Sequence, residues 1–81
     1  MYGRTIHFMV EGRSTSDEDM MVSIPRQYAD EFEGRNFETM HDLSMALMHA
    51  SCAAEATYYR RPWKVEEYEN DLKAVLAKAT A

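Results

Sequence analysis

From Thr39 to Tyr59 the sequence runs 21 residues without a glycine or a proline. Met40, Leu43, Leu47, Ala54 and Tyr58 recur along it at steps close to the 3.6-residue turn of an α-helix. A helix of that extent is on the order of 30 Å long, as long as a small domain is wide. It must be the spine of whatever the chain becomes. Thr39 is a fitting N-cap, with Asp42 three residues later as the acidic half of a capping box, and Asn36 is a second candidate cap. His41, Met45, Met48, Cys52 and Tyr59 form a second group beside the first stripe, so well over half the circumference is apolar or weakly polar. Such a helix needs cover on two sides.

The C-terminal segment supplies one cover. "RRPW" at 60–63 leaves room only for an antiparallel return, with Pro62 at the corner. After it, Val65, Tyr68, Leu72, Val75, Leu76 and Ala79 form one stripe, while Glu66, Glu67, Asn70, Lys73 and Lys78 face water. The N-terminal third supplies the other. Ile6, Phe8 and Val10 alternate with Thr5, His7 and Met9, which predicts a strand over about Arg4 to Glu11. "GRSTSDED" reads as a long acidic loop, and "MMVSIP" as the second strand, with Val22 and Ile24 on one side. Pro25 suits a helix start, Tyr28 and Phe32 are four apart, and Gly34 offers a left-handed stop, so a short helix is expected at about 26–33. The expectation is a single α+β domain over residues 1–81: a β-hairpin, a short helix, and a long helix paired antiparallel with a C-terminal one, ββααα.

Composition leaves little room for a buried catalytic pocket. A chain of 81 residues, 46% of them hydrophobic, is near the size where one core just suffices. One cysteine cannot close an intrachain disulfide, which fits a reducing cytoplasm. No apolar run approaches the roughly 20 residues of a membrane span, and the first residues lack a signal-peptide pattern, so the chain reads as soluble, unprocessed and cytoplasmic.

His49 and Cys52, three apart on the spine helix, are the only pair resembling a thiolate–imidazole unit. Cys52 lies far inside the helix with Glu55 as its nearest charge, an environment that does not activate a thiol, and it reads as a small buried core residue. His41 with His49, or His49 with Cys52 and Glu55, would give a metal too few ligands, and no paired motif marks a second cluster. There is no glycine-rich phosphate loop, and nothing calls for a cofactor. The chain reads as catalytically inert.

Charge is the remaining signal. Between Asp17 and Asp42 lie eight acids and two arginines, a local balance of −6 within a net −5. Such a field repels nucleic acid and attracts a basic protein surface. Asp17, Glu18 and Asp19 in the expected loop, with Asp30, Glu31 and Glu33 on the short helix, are the candidate partner-binding acids. Tyr59, Arg60, Arg61 and Trp63 at the corner have the residue types of interaction hot spots and complete the candidate set. In size and charge the chain resembles phage-encoded inhibitors of host defence or transcription machinery, a likeness of type that no family motif carries. The implied partner is a larger protein with a basic surface. The alternative is an antitoxin-like or homodimeric regulatory subunit that assembles through methionines, drawn from Met9, Met20, Met21, Met40, Met45 and Met48.

Overall fold

The computed structural model describes residues 5–79. Strand β1 spans His7–Val10 and keeps the alternation read from sequence: Ile6, Phe8 and Val10 are buried, while Thr5, His7 and Met9 face outward. Arg4, the expected first residue of this strand, lies outside the described residues. The chain then reverses at once. Glu11 and Gly12 both take positive φ, 53° and 79°, as two-residue turns between twisted strands require. Strand β2 is therefore Arg13–Ser16, in antiparallel register with Val10 opposite Arg13 and His7 opposite Ser16.

This corrects the placement of the second strand at Met21–Ile24. An edge strand with one open face needs no apolar alternation, so the polar Arg13–Ser16 segment qualifies once Gly12 permits the reversal. The acidic residues expected in a loop instead form a helical turn, α1, at Asp17–Met20. Ser16 caps it: its Oγ accepts the Asp19 N–H at 3.1 Å, and Met21 closes the other end with φ 57°. Val22 and Ile24 do turn inward, half-buried, but among the described residues no strand pairs with them.

A 3-10 turn at Arg26–Tyr28 runs into the short helix α2, Ala29–Phe32, close to the expected 26–33. Tyr28 and Phe32 are its buried residues, and Gly34 follows at φ 77°. Next comes an element the sequence did not announce. Strand β3 is Asn36–Phe37, parallel to β1, and it makes the order β2-β1-β3. The Gly34 N–H donates to the His7 carbonyl at 2.8 Å, the Met9 N–H to Arg35 at 2.8 Å, and the Glu11 N–H to Phe37 at 2.9 Å. Phe37, fully buried, meets Phe8 edge to face and Phe32 at a tilt, with centroids 6.1 and 5.9 Å away.

Helix α3 spans Met40–Tyr58, and the Thr39 hydroxyl accepts the Asp42 N–H at 3.1 Å, as its spacing implied. Its buried face is Leu43, Ala46, Ala50, Ala53 and Ala56, with Leu47 and Ala54 packed alongside. That face is turned by roughly 95° from the expected stripe, about a quarter of the helix circumference. Met40 and Tyr58, counted in that stripe, are 43% and 79% exposed. The cause is packing: small side chains let a neighbouring helix approach closely, so the alanine row faces α4 and the larger end residues are left outside. Helix α4, Pro62–Leu76, returns antiparallel and buries Leu72 and Leu76. The molecule is a slab of 36 × 32 × 17 Å, α+β in class. Among the described residues no helix is long and apolar enough to cross a membrane.

Candidate protein-docking surfaces

The two groups of candidate residues fall at two different places. The acids gather at one end of the sheet. Ser16 pairs with His7 on one side of β1, and Gly34 bonds His7 on the other. Asp17, Glu18 and Asp19 therefore leave β2, and Asp30, Glu31 and Glu33 precede β3, at the same end of the central strand. Two strand spacings, ~10 Å, separate these two exits. Glu18, Asp19, Asp30, Glu31 and Glu33 are exposed.

Asp17 differs from its neighbours. It is half-buried, its Oδ1 accepts the Ile6 N–H at 2.7 Å, and its own N–H donates to the Ile6 carbonyl at 3.0 Å. The side chain thus extends the β1–β2 ladder past the end of β2, making Asp17 part of the scaffold. Arg35 is the cation nearest this region in the chain. It is spent on main-chain acceptors, its Nε on Glu31 at 2.9 Å and its Nη1 on Leu76 at 3.4 Å, which ties α2 to the end of α4.

The second group sits where α3 turns into α4. The Arg60 N–H donates to Thr57 and the Arg61 N–H to Ala56, and Arg60 takes φ 58°, a Schellman closure with arginine where glycine is favoured. Tyr58 and Tyr59 meet edge to face at 5.1 Å, the Arg61 guanidinium lies 5.9 Å from the Tyr59 ring, and Trp63 is 65% exposed. An open depression of about 420 Å³ at the same corner is lined by Thr57, Arg60, Arg61, Pro62, Val65 and two glutamates, Glu66 and Glu69. Lys64 pairs with Glu67 at 3.6 Å. The corner is therefore aromatic and mixed in charge.

Cys52 is not in the core, contrary to the sequence reading. It is half-buried at the rim of a small recess with Glu55, Tyr59, Arg61, Lys64 and Tyr68. The same turn of α3 that buries the alanines carries Cys52 outward. Among the described residues, no three histidine, cysteine, aspartate or glutamate side chains gather as metal ligands would. Every buried side-chain nitrogen and oxygen among them has a hydrogen-bond partner.

The methionines do not form one surface. Met20 packs on the core, Met45 is half-buried, and the four exposed ones are spread out, Met9 on β1, Met21 just after α1, and Met40 and Met48 two turns apart on α3, with Met21 the extreme at 91%. One interaction had no local signal at all. The Tyr28 hydroxyl donates to Glu69 Oε2 at 2.6 Å across 41 residues of sequence, joining α4 to the turn before α2. Burial of the ring, and then the carboxylate it bonds, push the Tyr28 hydroxyl pKa well above its ordinary value. Comparison with family models, with curated proteins and with solved structures gave no match to this chain.

Proposed function

We propose that the protein is a non-enzymatic binding module of the cytoplasm whose acidic end occludes a basic, nucleic-acid-binding site on a larger protein, in the manner of a phage-type inhibitor of host defence or transcription machinery. The observation that carries this reading is the convergence of exposed Glu18, Asp19, Asp30, Glu31 and Glu33 at one end of β1. Acids so placed steer the module towards a cationic patch and compete there with phosphate. Tagged protein is used to capture partners from a lysate of the native host. The specific partner binds nucleic acid on its own and releases it when the module is added. Glu18→Lys with Asp19→Lys, and separately Asp30→Lys with Glu31→Lys, weaken capture by roughly tenfold or more, as added salt does. Capture that survives both variants undiminished refutes the reading.

A second reading, a homodimeric regulatory or structural subunit, is favoured by Met40 and Met48 on α3, 43% and 48% exposed. Apolar assembly of that kind resists salt, which separates the two.

A further inference from the structure

Successive helical residues turn by ~100°, so His41, Met45, Met48, Cys52, Glu55 and Tyr59 fall within one arc of about 80° on α3, opposite the arc of Ala46, Ala50 and Ala53. Burial agrees. The three alanines are fully buried, Met45 and Cys52 are half-buried, and His41, Met48, Glu55 and Tyr59 are exposed. The spine helix thus presents an outer stripe, apolar in the middle, with an imidazole towards one end and, bordering the recess that Arg61, Lys64 and Tyr68 share, a carboxylate towards the other.

That stripe is complementary to itself. His41 and Glu55 each stand seven residues, two helical turns, from Met48. Two copies of α3 packed antiparallel about an axis through Met48 bring His41 of each copy against Glu55 of the other. Met48 then meets its counterpart, and Met45 and Cys52 flank it. Parallel packing would set His41 on His41 and Glu55 on Glu55. The contact is of the same surface on both sides, the closed arrangement expected of a two-fold dimer. We infer that the protein is a homodimer joined through the outer stripe of α3, antiparallel, with Met48 on the axis and a His41–Glu55 contact at each end. This gives a geometry to the second reading above and is independent of the acidic end.

Light scattering over a concentration series up to the high micromolar range gives the mass of two chains. Glu55→Lys weakens the dimer by roughly tenfold or more, since each end then loses the carboxylate acceptor that faces the imidazole N–H of His41 of the other copy. His41→Glu with Glu55→Lys restores the pair in reverse and returns the dissociation constant to within about threefold of the parent. In a Cys52→Ser background, Met48→Cys gives a disulfide-linked dimer under mild oxidation, while Lys78→Cys does not. Circular dichroism establishes that each variant is folded. A monomer throughout the series overturns the inference, as does a dimer that neither weakens in Glu55→Lys nor cross-links through position 48. The Glu18→Lys, Asp19→Lys variant keeps the dimer, so loss of partner capture there leaves this result standing.

Discussion

Tyr28 shows how much a single residue can hold in a fold this small. Its ring is buried against the core and its hydroxyl bonds Glu69 at 2.6 Å, so Tyr28→Phe removes a hydrogen bond to a carboxylate, about 1–2 kcal/mol by denaturant unfolding. The raised pKa has a signed consequence. A tyrosine that holds its proton more tightly when folded contributes stability that is complete below the unfolded value of 10.0 and falls as pH rises beyond it. Unfolding at pH 8 and again above pH 10 shows a loss that Tyr28→Phe largely abolishes. The acids divide in the same way. Asp17→Ala leaves the Ile6 N–H without its acceptor and costs about 1–2 kcal/mol, whereas Glu18→Lys and Asp19→Lys, both exposed, cost well under about 1 kcal/mol. Melting temperatures of the three single variants test that order. Reversing Asp17 together with its neighbours would mix a folding defect with a binding one.

At the scale of elements, the sequence is most legible where the cause is local. The Thr39 cap, the Pro62 corner and the Tyr28–Phe32 spacing with Gly34 behind it placed α3, α4 and the α2 region close to where they lie. The sheet was less legible because its causes are distant. Strand β3 is two residues long and exists only through bonds to β1, which no periodicity records. The apolar alternation at Met21–Ile24 points away from the true second strand, which follows Glu11-Gly12, the dipeptide that turns the chain. Gly12→Ala is the direct check. A Cβ there meets nothing within 4 Å, so its cost, about 1 kcal/mol, comes from the positive φ alone. Arg60→Gly is the converse. Glycine relieves a left-handed arginine at the end of α3 and raises stability by about 0.5–1 kcal/mol. The candidate acids were readable as composition, but their meeting at one end of β1 was not, since β1 itself brings the two exits together.

Over the whole molecule, thickness sets the terms. A slab 17 Å deep holds one apolar layer between the sheet and the helices, so each helix keeps a face outside that layer. Four of the five buried residues of α3 are alanines, and alanine contributes little transfer free energy compared with leucine or phenylalanine. Folding is then marginal for the single chain, and any assembly that covers the outer stripe of α3 adds to it by mass action. If two copies pair there, each tenfold rise in protein concentration adds about 1.4 kcal/mol per mole of dimer to the stability of the assembled state. The melting temperature of the parent chain therefore climbs steadily across a hundredfold concentration series. In Glu55→Lys it stays flat over the lower part of that range, where the weakened dimer has dissociated, and rises only at the top. A parent whose melting temperature ignores concentration folds without help from a second copy, and the outer stripe of α3 is then solvent-facing surface in the working molecule.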